Sequence, residues 1–384
     1  MIVSYCLSCG TLYQVYRTCM VGISIAIRCD DCNYHSGNVQ VERRASALTY
    51  QVGVICGYAA NAAAGCQLVL THDGASEWIF VTPDAFVIRQ TDEASSGLGA
   101  FATRSIKRGD CILSEAPLVQ WTLQPDENTT AGLVSLVNAL DPADYSAYCS
   151  LCQNPIHGSG GKSVYGIWLS NAYLCTSPLQ ATRDRQHGVD EDRIQGTKAV
   201  FVSACRFNHS CSPNAHVSWN AKRGQQVIYA LSTIEPGTEI CVSYLDNASG
   251  MRRAQRHEEL GFACTCCACR QGGVAQEQSD KRRARIGAIF GLLEATIRAA
   301  DRRAIALISE RLTLMEQEEM REDWNTLFCG YSYFELRGDP TEARAWAARA
   351  AESVRHGMGV DSDEFQHYVT HAKPPNRRGG SLTP

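Results

Sequence analysis

Thiols supply the first chemistry in this chain. Cys264, Cys266 and Cys269 put three of them within six residues, with Cys267 among them. A structural zinc ion takes four soft ligands in a tetrahedron, so three clustered thiolates call for a fourth from a distant cysteine, and Cys211 fits. Spacing alone leaves Cys264/Cys267 and Cys266/Cys269 as alternative pairs. A second group, Cys6-x2-Cys9 and Cys29-x2-Cys32, has zinc-ribbon spacing but lacks glycine-rich knuckles. There, a second zinc site and a merely cysteine-rich leader stand level. Most of the 19 cysteines are scattered singly and carry no signal.

Three further segments hold residues that could do chemistry. In Arg206-Phe-Asn-His-Ser-Cys-Ser-Pro-Asn214, Asn208 and His209 offer an amide and an imidazole side by side. Alone, they read as a capped turn and a satisfied core histidine. Gly237-Thr-Glu-Ile-Cys-Val-Ser-Tyr244 ends on a phenol that can donate a hydrogen bond where charge develops. Glu239 within it reads as a carboxylate that ties the fold rather than as an acid or base. In Gly97-Leu98-Gly99 the missing side chains let backbone approach a ligand, though a lone Gly-x-Gly is usually a turn. Phe262 reads equally well as a core residue or a wall of a site.

These residues need elements to position them. Residues 91–270 are rich in glycine and short apolar runs. Phe101–Ile106, Cys111–Leu113 and Val227–Leu231 read as short strands, and 158–161 and 183–193 as loops. From 279 the period becomes helical. Ile286, Phe290, Leu293 and Ile297 form one predicted apolar stripe, and Ile305, Ile308, Leu312 and Met315 another. Asp339-Pro340-Thr341-Glu342 predicts a helix start, after a stop at Gly338. Lys281-Arg-Arg-Ala-Arg285 reads as the solvated face of a helix. The first 90 residues show no clean period.

Taken in chain order, the four segments resemble the SET domain family of protein lysine methyltransferases. The resemblance covers about residues 91–270. It is nearest to the branch whose SET domain is split by an insert and followed by a helical domain, as in SET-and-MYND proteins. Only Cys149, Cys152 and Cys175 lie in the insert, too few for a MYND finger. The resemblance implies an α+β fold of short strands around a knot-like core, with an α-helical C-terminal domain. It implies S-adenosyl-L-methionine held by Gly97, Leu98, Gly99, Asn208, His209 and Phe262, with Tyr244 catalytic. It favours Cys211, Cys264, Cys266 and Cys269 as the zinc ligands and leaves Cys267 free. Leu260 stands where many relatives carry an aromatic residue, which bears on substrate scope. The expected partner is a protein bearing a lysine side chain, chromatin proteins among the candidates. A catalytically inactive SET scaffold acting through protein interactions is the alternative.

The implied organisation is a cysteine-containing region at 1–90, the SET domain with its insert at 91–248 and a zinc-binding segment at 249–272. A helical domain at 279–360 and a disordered tail at 373–384 follow. The 384 residues are 45% apolar and 20% charged with net charge −4. That balance gives no basic field for nucleic acid or anionic membrane, and counts against a nucleic-acid-binding regulator. No apolar run spans a bilayer and no secretory signal is evident, so the expected location is nucleus or cytoplasm.

Overall fold

The computed structural model describes residues 85–91, 97–122, 129–158, 160–189, 196–321 and 323–373, and before them the backbone of six strands. The chain divides into two units, Met1–Ala85 and Phe86–Pro384.

The first unit is an antiparallel sheet. Its strands are β1 (Ile2–Cys6), β2 (Leu12–Val15), β3 (Gly37–Glu42), β4 (Thr49–Ile55), β5 (Gln67–His72) and β6 (Ala75–Phe80), in the order β2-β1-β3-β4-β5-β6. The register sets Val39 opposite Val52, and Val52 opposite Leu70, so an apolar row crosses three strands. The β-branched valines in it favour a pleated surface. Cys6 ends β1, opposite Gly37. Cys9, Cys29 and Cys32 lie outside the described residues, so the zinc-ribbon question stays a matter of sequence.

The second unit opens with β7 (Phe86–Gln90) and β8 (Leu98–Ala102), joined as an antiparallel pair, then β9 (Cys111–Glu115) and β10 (Val119–Thr122). An insert of helices follows: α1 (Thr129–Asn138), α2 (Pro142–Ser150), α3 (Val164–Asn171), and, after β11 (Tyr173–Leu174), α4 (Pro178–Gln186). Then come β12 (Thr197–Val200), β13 (Ala215–Asn220), β14 (Gln225–Ala230) and β15 (Glu239–Ile240). They form three small sheets, ordered β10-β12-β11, β13-β14-β9 and β15-β8-β7.

The helices of the insert add to the short strands expected over residues 91–270. The Asp-Pro signal that predicts a helix at 340 also stands at Asp141-Pro142, where the Asp141 carboxylate accepts from the N–H groups of Ala143 and Asp144 at 2.9 Å each. Residues 183–186, expected in a loop, are the last turn of α4. Leu133, Val137, Tyr148, Leu151, Ile167 and Trp168 pack with Val119 and Val200 into one core, which fixes the insert to its strands.

Among the described residues seven α-helices follow: α5 (Arg253–Leu260), α6 (Cys267–Arg270), α7 (Gly273–Arg298), α8 (Arg303–Gln317), α9 (Trp324–Leu336), α10 (Pro340–Met358) and α11 (Asp363–Ala372). The buried stripe of α7 is Ile286, Ile289, Leu293 and Ile297. Phe290, expected in it, is 44% exposed, with the Arg311 guanidinium 4.9 Å above its ring. Ile289 and Phe290 are neighbours about 100° apart on the helix; the helical period admits either, and packing buries Ile289. On α8 the fully buried residues are Ala304, Ile308, Arg311 and Met315, with Ile305 and Leu312 half-buried beside them. The 281–285 run is corrected as well. Lys281 and Arg285 are exposed, but Arg283 is fully buried. Asp339 caps α10 through the N–H groups of Thr341 and Glu342. Asp361 accepts from Asn220 at 3.1 Å and from Arg223 at 2.6 Å, tying the last helices to the β13-β14 hairpin. Residues 374–384, most of the expected tail, lie outside the described residues. Among the described residues no helix is long and apolar enough to cross a membrane.

Candidate active site and cysteine cluster

Segments 206–214 and 238–244 run side by side and build the site. Val242 donates to the carbonyl of Asn208 and accepts from Ser210, both at 2.9 Å, and His209 and Val242 form a parallel bridge. Asn214 clamps the same pair from its far end. Its side chain donates to the Glu239 carbonyl at 2.9 Å and accepts from the Cys241 N–H at 2.8 Å. Glu115, the last residue of β9, accepts from the N–H groups of Ser203 and Ala204, so the turn leading into Asn208 is held from below. Burial raises that carboxyl above its ordinary value.

Asn208 reaches across to the Gly97–Gly99 loop. Its amide donates to the Leu98 carbonyl at 3.1 Å and to the Glu239 carboxylate at 2.8 Å. Glu239 thus serves as a tie within the fold. Both glycines are required, for different reasons. Gly97 has φ +65°, the left-handed region. A Cβ on Gly99 would come within 2.4 Å of the Glu239 carboxylate and 3.0 Å of the Asn208 amide. Leu98 between them is 39% exposed.

His209 is held at both ring nitrogens. Nδ1 accepts the Tyr244 N–H at 2.9 Å, and Nε2 lies 3.2 Å from Cys211 Sγ. Burial lowers its pKa to about 4, so the ring is neutral near pH 7. With Nδ1 accepting, the one ring proton sits on Nε2 and points at sulfur. Tyr244 leaves 46% of its surface exposed, yet its hydroxyl turns inward and donates to the Phe207 carbonyl at 2.8 Å. Burial pushes the phenol up, and Cys205 and Cys241 nearby push it further, so it stays a proton donor. Burial also drives Cys205 and Cys241 up to about 12, which keeps both as neutral thiols.

The sulfurs of Cys211, Cys264, Cys266 and Cys269 lie within 4.8 Å of one another. Cys211 stands 3.9 Å from Cys264 and 3.5 Å from Cys269. A disulfide needs about 2.05 Å. Four sulfurs each about 2.3 Å from one ion would stand about 3.8 Å apart, so the set matches a tetrahedral centre. Hydrogen bonds within the set divide it, holding Cys266 and Cys269 below the ordinary thiol range and Cys211 and Cys264 above it. Cys267 is exposed and outside the set. Among the described residues no other trio of His, Cys, Asp or Glu gathers in this way.

Gly261, at φ +69°, ends α5 and turns the chain into the cluster. Leu260 before it is 5% exposed and packs on the cysteines, while Phe262 after it is 42% exposed. The position that departs from the expected aromatic is therefore part of the cysteine core.

Three buried residues near the site escape sequence reading. Arg256 on α5 is 1% exposed, with Nε 3.1 Å from Cys211 Sγ. Arg283 on α7 is fully buried and donates to the Cys211 carbonyl at 3.3 Å and to the Glu318 carboxylate at 2.7 Å. Glu318 also accepts from Ser279 and Arg282, at 2.6 Å each. The available signal was that α7 and the 316–319 stretch carry opposite charges, which does not specify burial.

Residues 97–245 match the SET domain family model. Over 188 residues the chain is 26% identical to "Histone-lysine N-methyltransferase set5" of Schizosaccharomyces pombe, covering 47% of this chain and 59% of that protein. Over 75 residues it is 43% identical to human "Protein-lysine N-trimethyltransferase SMYD5", covering 18% of each. A solved structure described as the SET domain of LSMT bound to Lysine and AdoHcy superposes weakly, with TM-score 0.29 at 12% identity over 76% of this chain and 84% of that one. The chain thus spans less than two thirds of the length of these two curated relatives. With its strands in small sheets, its paired 206–214 and 238–244 segments and this match, the chain carries a SET domain at residues 97–245.

Proposed function

We propose that the protein is an S-adenosylmethionine-dependent methyltransferase acting on a lysine side chain of another protein. One observation carries the reading: a single network joins the Gly97–Gly99 loop, Asn208, His209 and Tyr244. When bound, S-adenosylmethionine supplies a methyl group on a sulfonium to a neutral amine. The protein's task is then alignment and electrostatic support. Asn208 and the loop backbone offer the amide and carbonyl groups to hold the cofactor, and the exposed Leu98 and Phe262 offer apolar surface. The Tyr244 hydroxyl is a fixed donor beside backbone carbonyls that can orient the amine. Cys211, Cys264, Cys266 and Cys269 hold zinc, which fastens the segment after the SET domain onto His209. The substrate is a histone or another protein, and the site of action is nuclear or cytoplasmic.

The test is calorimetric titration of the zinc-replete protein with S-adenosylmethionine and its demethylated product, beside Asn208→Ala. Saturable binding that the variant loses is expected. A folded, zinc-loaded protein that binds neither would transfer the reading to a non-catalytic scaffold.

A further inference from the structure

We propose that Arg256 is the counter-charge and positioning residue of the cysteine cluster. Its guanidinium neutralises thiolate charge on Cys211 and Cys269, which sets how tightly the cluster holds a divalent metal and fixes the Cys211 end of the Asn208–Cys211 segment. The proposal rests on the reading of the cluster as a metal site.

The argument begins with burial. A guanidinium stays protonated in any protein setting, and an isolated buried cation is strongly unfavourable. Among the described residues the other two buried arginines both find carboxylates: Arg283 meets Glu318 and Arg311 meets Asp323. Arg256 has none among the described residues. Its Nε lies 3.1 Å from Cys211 Sγ, one terminal nitrogen 3.4 Å from Cys269 Sγ, and the other donates to the Met251 carbonyl at 2.6 Å. Sulfur is the sole acidic group it bonds, and a neutral thiol is a weak acceptor that carries no charge.

The charges then balance. Four thiolates around one divalent cation leave two negative charges in a buried cluster, and Arg256 removes one of them. Cys211 receives the most help, from Arg256 Nε and from the Nε2–H of His209 at 3.2 Å. Its sulfur is held by two nitrogen donors from opposite sides of the sequence, α5 and the His209 segment. Placing that sulfur places the peptide that begins at Asn208.

The test uses the full chain, with zinc affinity measured against a chromophoric chelator and the metal replaced by cobalt for spectroscopy. Arg256→Met is expected to weaken zinc binding about 10–100-fold. It should also move the sulfur-to-cobalt charge-transfer band to lower energy, because an uncompensated thiolate gives up electrons more readily. Arg256→Lys keeps the charge and should hold the band near its wild-type position. A folded Arg256→Met protein with unchanged affinity and band overturns the proposal, as does an Arg256→Lys band that matches Arg256→Met. Should Arg256→Met not fold, the wild-type band decides: it should lie at higher energy than that of a solvent-exposed four-cysteine peptide, and equality overturns the proposal. Wild-type protein that takes up no zinc or cobalt sinks the metal-site reading itself, a different result.

Discussion

Arg256 and Arg283 both bond to Cys211, one at its sulfur and one at its carbonyl, and both are buried. They differ in the anion each meets. Arg283 meets Glu318, a carboxylate whose oxygen accepts from its guanidinium at 2.7 Å. Arg256 meets thiols, which ionise most readily when a metal displaces their protons. The helical side of the junction is therefore self-sufficient, whereas on the proposed reading the cysteine side would depend on a bound ion. Adjacent parts of one core can hold their charges by two unlike devices.

Metal removal should break this comparison most visibly. Structural zinc contributes about 10–16 kcal/mol in zinc-finger peptides, more than any single side-chain contact. Chelation, or Cys266→Ser, should strip about one zinc per chain and abolish hydrogen-exchange protection over 253–270, while 324–372 stay protected. Simultaneous loss in both stretches would show that the two devices are not separable. Next in size is Glu318→Gln, which strands Arg283. It should lower stability in urea by about 3–5 kcal/mol, and a paired Arg283→Met, Glu318→Leu protein should recover much of that. If the single variant is as stable as wild type, the self-sufficient pair is an illusion.

Tyr244→Phe sharpens the same contrast from the active site. It removes one fixed donor, so methyl transfer should fall about 100-fold or more. Stability should fall by only about 1 kcal/mol, through the lost bond to Phe207. Turnover near wild type in a methyl-transfer assay would take Tyr244 out of its proposed role. The smallest effect belongs to Asp339→Ala, far from either arginine. Losing that cap should cost about 1 kcal/mol in thermal denaturation and leave zinc content and cofactor binding unchanged.

The parts of the site legible in the sequence were those whose residues are neighbours in the chain. Asn208-His209, Gly97-Leu98-Gly99 and the run ending at Tyr244 each announce themselves within a few positions. Local rules also gave the α10 start at Asp339. Arg256 and Arg283 were not legible because an arginine on a helix is usually solvated, and no period distinguishes a buried one. Their partners lie far along the chain: Cys211 is 45 positions from Arg256, and Glu318 is 35 from Arg283. Phe290 was misassigned for a related reason. Its spacing from Ile286 suits the stripe, but Ile289 suits it too, and only packing against the neighbouring helices decides. The N-terminal sheet showed no clean period because the Val39–Val52–Leu70 row is set across strands and leaves little trace along any one of them.

The separation of these partners also orders how the site can assemble. Asn208 bonds to a carbonyl 110 positions earlier, and Cys211 meets Cys264 across 53 positions. Contacts of that range form after local ones, because chain closure costs entropy before it is rewarded. Cys264, Cys266 and Cys269 can gather round an ion as soon as their own turn exists, with a place left for one more sulfur. With a metal captured there, closing the contact to Cys211 would bring His209 and Asn208 into place with it.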